Sequence, residues 1–309
     1  MRKIHLISIT EPLIQDLALA IREKQYEVSV SGVGVDEVLL AKLRAAGCIC
    51  YGNGWFPEHL TKDIHAVVLG AATTSDNPEL KQAKKMGLLI QSIPEFIYHR
   101  TKSKTRVVVA GSYGKKSILS MIAYVLQKQK VLFDYALASK IDQLPNQVAL
   151  GFESRIALIE GDEHIAAVLK KKLQLEFYRP QIAVLTSLEW SESTNRLPLE
   201  KYINTYKAFV DSIEREGKLI YFEGDTRVSH LAEGVRDDIT SIAYNGHETV
   251  EENEITFLKT RYGNYRIEAG MDDYFLYNLN AARLVCRQLG IKDTDFYQAI
   301  SAYSSSLQV

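Results

Sequence analysis

The sequence is poor in cysteine, has almost no net charge and contains no long apolar run, and each shortage closes off a class of function. Cysteine occurs only at Cys48, Cys50 and Cys286 in 309 residues. That gives neither a disulfide framework nor a zinc-ligand spacing, and makes a reduced, cytoplasmic home the expectation. Thirty-seven basic side chains face 38 acidic ones, so no single-sign field points to nucleic acid or to an anionic membrane. No stretch of about 18 apolar residues is present to cross a bilayer. The opening MRKIHLISIT runs directly into a strand-like segment, without a signal peptide's long apolar region and cleavage site. Long-period repeats and low-complexity segments are also missing.

What remains is the composition of a globular protein, 46% hydrophobic and 24% charged, long enough for two domains of roughly 150 residues each. Residues 3–9 read as a strand. Residues 12–24 follow as a helix with Leu13, Leu17, Ala20 and Ile21 on one face. A strand over 27–31, a helix capped by Asp36 through Leu39, Leu40 and Leu43, a strand over 65–70 and a helix over 77–86 continue the pattern. Residues 88–91 and 94–99 close this unit, and the polar, basic stretch 98–105 (YHRTKSKT) reads as a linker. Further strands are expected over 106–110, 133–138, 156–160, 182–185, 218–222 and 239–244. A helix over 199–213 turns Tyr202, Tyr206, Phe209 and Ile213 inward. Residues 254–259 and 265–269 flank a Tyr262-Gly263-Asn264 turn as an antiparallel pair, and helices over 277–289 and 294–303 end the chain. Strands alternating with helices at this spacing predict an α/β protein with parallel, doubly wound sheets.

The stretch RVVVAGSYGKKSILSMIAYVLQKQ, residues 106–129, organises the rest. A β-branched run leads into Gly111, Ser112, Tyr113 and Gly114, then Lys115, Lys116 and Ser117 open a helix with apolar Ile118, Met121, Ile122, Val125 and Leu126. Strand, glycine turn, lysine and helix make a phosphate-binding loop: amides and the positive helix end converge on an anion while glycines allow close approach. The usual motif puts Ser or Thr directly after the lysine, where the hydroxyl holds Mg²⁺. Here that place belongs to Lys116, and the hydroxyl arrives one residue late at Ser117. A second ammonium attracts phosphate and repels Mg²⁺. An ordinary βα turn with two solvated lysines is the alternative.

These pieces, in order, resemble the Mur ligases, the ATP-dependent amide-forming enzymes of peptidoglycan assembly, and within them the murein peptide ligase branch and its UDP-N-acetylmuramate–alanine ligase relatives. The resemblance rests on IHLISI, GWFPEHL, HAVVLGAATTSDNPEL, IPEFIYHRTKSKTRVVVAGSYGKKS, LIEGDEH and NLNAARLVCRQLG, colinear over nearly all of the chain. It implies a Rossmann-like, nucleotide-sugar-type domain over 1–100 and a P-loop-type central ATPase domain over 101–309, with ATP and Mg²⁺ as the cofactors of the family. Such enzymes carry a third domain that closes over ATP. The sequence reaches Val309 about where the hinge to it would begin, so either a cut at a domain boundary or a natural loss of that domain is expected.

The resemblance also assigns positions. The family's Gly-rich diphosphate turn falls on Ser8-Ile9-Thr10-Glu11-Pro12, which has no glycine, a carboxylate facing where a diphosphate would lie, and a proline without an amide donor. The acidic nucleoside contact falls on Ser31-Gly32. Tyr113 stands where relatives carry His or Asn. Glu160 matches a glutamate that helps hold Mg²⁺, or is a solvated strand-end carboxylate; Asp162, Glu163 and His164 follow it as a loop. The family's Asp-His pair falls on Ser191 and Glu192, leaving a Glu160–Glu192 cation site or an exposed acidic loop. The His-Asn pair that contacts the base falls on Tyr274-Phe275, expected to pack beneath the closing helix, with Phe275 otherwise able to stack on a base.

Ligand-facing positions have changed while the apolar skeleton has not. The expectation is therefore a non-catalytic Mur-ligase-like protein that acts on a protein partner or senses a phosphate-bearing small molecule. An active ligase joining an amino acid or peptide to UDP-N-acetylmuramate is the alternative, and an anion-binding homo-oligomer is a third reading.

Overall fold

The computed structural model describes residues 2–162, 165–167, 170–192, 197–267 and 272–303. Glu163, His164, the far end of the strand expected over 265–269, and 304–309 lie outside them. The chain begins with β1 (Lys3–Ile7), α1 (Pro12–Glu23), β2 (Glu27–Ser31), α2 (Glu37–Ala45), β3 (Ile49–Cys50), β4 (Ile64–Leu69), α3 (Pro78–Lys85), β5 (Ile90–Ser92) and α4 (Ile93–Thr101). The strands form a five-stranded parallel sheet in the order β3-β2-β1-β4-β5. Local chemistry starts each helix. Pro12 occupies the first turn of α1, Asp36 and Asn77 accept from Leu39 N and Leu80 N, and Ser92 with Glu95 forms a reciprocal capping box. β1 is two residues shorter than its apolar run because Ser8 turns left-handed, at φ +64°.

The second sheet has seven strands in the order β14-β13-β12-β6-β9-β7-β8. It is built from β6 (Thr105–Ala110), α5 (Lys115–Lys128), β7 (Phe133–Ala136), β8 (Val148–Ala149) and β9 (Ile156–Glu160). β10 (Ile165–Ala167), β11 (Lys170–Leu173), α6 (Leu175–Tyr178), β12 (Ile182–Leu185), α7 (Leu199–Asp211), β13 (Lys218–Phe222), α8 (Thr226–Glu233) and β14 (Thr240–Tyr244) follow. All its pairings are parallel except β7–β8. Val107, Val108 and Val109 are fully buried, as a strand covered on both faces requires. The chain closes with an antiparallel trio, β15 (Thr249–Glu252), β16 (Ile255–Thr260) and β17 (Gly263–Tyr265), then α9 (Asp273–Gln288) and α10 (Asp293–Ile300). α9 packs along α5.

The stretch 98–105 is not a linker. Tyr98 and Thr101 belong to α4, and Lys104 is buried, its Nζ 2.6 Å from Asp134 Oδ2, Ser154 Oγ and Gly151 O. The next residue but one, Arg106, is 1% exposed and donates to the carbonyls of Tyr178 and Arg179, each at 2.8 Å, and of Thr101 at 3.0 Å. Charge pattern alone reads such residues as solvated; here carbonyls, the Ser154 hydroxyl and the carboxylates of Asp134 and Glu214 satisfy them. α4 lies against α6, α1 lies against β8, and one apolar cluster includes residues of both sheets.

Candidate functional site

β6 is the strand at which the second sheet reverses direction. α5 carries the chain past β9 to β7, and the later strands β12, β13 and β14 build outward on the other side. The crevice at the carboxyl end of such a strand is the usual ligand position in α/β sheets. Residues 111–114 fill it. Gly111 sits at φ +123° and Gly114 at φ +82°, and a β-carbon on either would collide with Thr186 Oγ1 or Asn278 Oδ1 respectively. Both positions therefore require glycine, for conformation and for space. Ser112 N donates to Ser187 O at 2.8 Å, and Ser112 Oγ pairs with Tyr202 OH at 2.9 Å and accepts from Glu189 N at 2.8 Å. These bonds fix the loop to the segment after β12. Lys115 folds back so that its Nζ donates to Gly111 O at 2.6 Å. Lys115, Lys116 and Ser117 are half-buried in the first turn of α5, while Tyr113 is 59% exposed.

Glu160, at the end of β9, is buried and committed: its Oε2 accepts from both Ser139 N and Ser139 Oγ at 3.1 Å. Glu192 is exposed beyond β12. Among the described residues no group of three or more His, Cys, Asp or Glu side chains could hold a metal ion. The residues present fit Mg²⁺ poorly: an ammonium stands where the hydroxyl ligand would be, and one oxygen of the Glu160 carboxylate is already held by Ser139.

Beside the loop lies a cavity of about 290 Å³ lined by Tyr113, Gly114, Thr186, Glu189, Phe222, Tyr244 and their neighbours on α9. Phe222 links its aromatic wall, with ring centroids 4.9 Å from Tyr277 and 5.6 Å from Tyr244. Burial pushes the Tyr244 phenol well up, so it stays protonated. Thr186 is 3% exposed, and its hydroxyl has no hydrogen-bond partner among the described residues.

The expectation for Tyr274 and Phe275 needs correction. α9 starts four residues before the expected 277, capped by Asp272, which accepts from Phe275 N at 2.7 Å. Phe275 turns into the core and is not available to stack on a base, whereas Tyr274 is 70% exposed. The sequence reading missed Thr186, Phe222, Tyr244, Tyr277 and Asn278. Thr186, Phe222 and Tyr244 each lie at the carboxyl end of β12, β13 or β14, so the switch-point rule applied to every strand would have found them.

The first sheet has a matching crevice at the end of β1, and it is closed. Ile9 N donates to Ser31 O at 3.1 Å, Gln15 Nε2 covers the carbonyls of Ile9 and Thr10, and Thr73 Oγ1 donates to Ser8 Oγ at 2.9 Å. Burial pushes the Glu11 carboxyl up, partly offset by the backbone amide of Ala72. Next to it Glu79, fully buried, accepts from His5 Nε2 at 3.4 Å, from Phe56 N at 2.7 Å and from Ser31 Oγ. Burial alone would raise the Glu79 pKa, but the bonds and charge of His5, with Ser31 and Phe56, bring it below the ordinary value.

No family model matches the chain. It is 30% identical over 236 residues to the UDP-N-acetylmuramate–L-alanine ligase of Carboxydothermus hydrogenoformans, covering 76% of this chain and 49% of that protein. To the enzyme of the same name from Streptomyces avermitilis it is 25% identical over 313 residues, covering 97% and 65%. Among solved structures it resembles the UDP-N-acetylmuramate:L-alanyl-gamma-D-glutamyl-meso-diaminopimelate ligase from Neisseria meningitides, with a TM-score of 0.84, 20% identity and 98% of each chain covered. A murein peptide ligase from Psychrobacter arcticus gives a TM-score of 0.80 at 19% identity, over 98% of this chain and 68% of that one. At such identities the solved structures speak for the fold, and the sequence matches for the kinship. The chain belongs to the Mur ligase family and spans about half the length of the curated relatives it matches.

Proposed function

We propose that this is a Mur-ligase-like protein without ligase turnover, which binds a phosphate-bearing small molecule at the β6–α5 loop and signals or scaffolds through a protein partner. The observation that carries the reading is the pairing of Lys116, where a Mg²⁺-holding hydroxyl belongs, with a Glu160 carboxylate already bonded to Ser139. Metal-based charge neutralisation and positioning supply most of phosphoryl-transfer catalysis. A loop that substitutes an ammonium for the metal holds an anion through point charge and helix dipole instead. The three cysteines, all unpaired, favour a reduced, cytoplasmic setting.

The test is titration calorimetry with inorganic phosphate and with ATP, each with and without Mg²⁺, and then with UDP-N-acetylmuramate. Phosphate heat that ignores Mg²⁺, with none from the nucleotide sugar, is expected. Mg²⁺-dependent ATP binding overturns the reading. The second reading, an ATP-dependent ligase acting on UDP-N-acetylmuramate, is favoured by what the curated relatives are called and by the retained Gly114–Lys115 helix start. Amide formation from ATP, UDP-N-acetylmuramate and L-alanine would establish it.

A further inference from the structure

The cavity beside the loop has a chemistry of its own. Five rings line it, Tyr113, Phe222, Tyr244, Tyr274 and Tyr277, together with the carboxylates of Glu189 and Asp273, and no Lys, Arg or His is among the described residues that do. Aromatic faces are negative at their centres and attract cations. Two carboxylates, with no basic side chain among the described lining residues, add to the same field. We propose that this cavity binds an ammonium group, held by the aromatic wall and the two carboxylates. The volume of about 290 Å³ admits a small alkylammonium and sits at the lower end of small-molecule pockets. The assignment goes beyond the phosphate reading and does not depend on it, since Lys115 and Lys116 are not among the lining residues.

The probe is choline, set against its neutral isostere 3,3-dimethylbutan-1-ol, with binding followed by ring-proton and amide NMR shifts on the full chain. Choline is expected to bind about tenfold tighter than the isostere, as cation–π attraction at a partly desolvated site provides. Its affinity is expected to fall about fivefold in the exposed double variant Glu189→Gln, Asp273→Asn, with a loss of salt dependence. Tyr274→Leu, also exposed, is expected to weaken choline about threefold and leave the isostere unchanged. Lys115→Ala is expected to abolish phosphate binding and spare choline, which separates failure of the phosphate reading from failure of this one. Equal binding of the isostere, no choline-dependent shifts up to tens of millimolar, or adenosine binding the cavity more tightly than choline would each overturn the proposal.

Discussion

The two parallel sheets each end their central strand at a ligand-type crevice, and the two crevices are finished in opposite ways. After β6 the backbone turns through Gly111 and Gly114, both at positive φ, and leaves a cavity beside it, with the Thr186 hydroxyl lacking a partner among the described residues. After β1 it turns through Ser8 at φ +64°, and the polar groups nearby pair with one another: Ile9 with Ser31, Thr73 with Ser8, Glu79 with His5 and Phe56. Where those groups are paired, a diphosphate must first break an old bond to make a new one. Topology puts a ligand site within reach, but the free hydrogen-bonding groups of the loop decide whether there is one.

The largest expected effect tests how firmly the first crevice is filled. Glu79→Ala leaves His5, Ser31 Oγ and Phe56 N without their acceptor and should cost about 3 kcal/mol, read as a shift in the urea midpoint. Glu79 also sets an acid limb. Its folded pKa lies below the ordinary value, so its contribution is complete above roughly pH 4.3 and is lost as pH falls through the folded value. Glu79→Gln should flatten that limb; an unchanged slope would mean that the carboxylate is not what holds the first crevice together. Next comes Gly114→Ala, which adds left-handed strain of about 1–2 kcal/mol and a collision with Asn278. It should remove phosphate binding altogether and lower the melting temperature by about 2–8 °C. Retained phosphate binding would mean that the β6 loop is not the anion site.

Much of this contrast could be read from the sequence, and what could not has a physical reason. The valines of β6, the capped starts of α2 and α3, and the glycine turn before Lys115 carry local signals that the structure repeats. Lys104 and Arg106 read as solvated in a basic run because their acceptors, Asp134, Gly151 O and Tyr178 O among them, come from distant segments. α9 was expected to begin at 277 because its apolar spacing is clearest there, whereas its start is fixed by the Asp272 cap. Of the site, the loop residues were legible from their order. The cavity was not, since Thr186, Phe222, Tyr244 and Tyr277 come together only through strand order.

Two smaller substitutions probe the metal question at the β6 crevice. Lys116→Ser puts a hydroxyl where Mg²⁺ would be held, but Glu160 remains bonded to Ser139. Phosphate affinity should therefore drop about fivefold, the loss of one nearby charge, with no gain in Mg²⁺ dependence by calorimetry. Adding Ser139→Ala removes the Oγ donor, leaves only the backbone amide of residue 139 on Glu160 Oε2, and is the change expected to bring a Mg²⁺ response.

The smallest effect is the most discriminating. Ser8→Gly restores at the end of β1 the residue type that the φ of +64° favours. Relief of left-handed strain, about 1 kcal/mol, is offset by loss of the Thr73 hydrogen bond, also about 1 kcal/mol, and by added flexibility of the unfolded chain. Stability should stay within about 0.5 kcal/mol. If a glycine were all that the turn lacked, the variant would gain affinity for UDP-N-acetylmuramate. With Ile9 N still bonded to Ser31, no heat is expected from the nucleotide sugar, because Pro12 supplies no amide and the Glu11 carboxylate still faces the place where the diphosphate would lie.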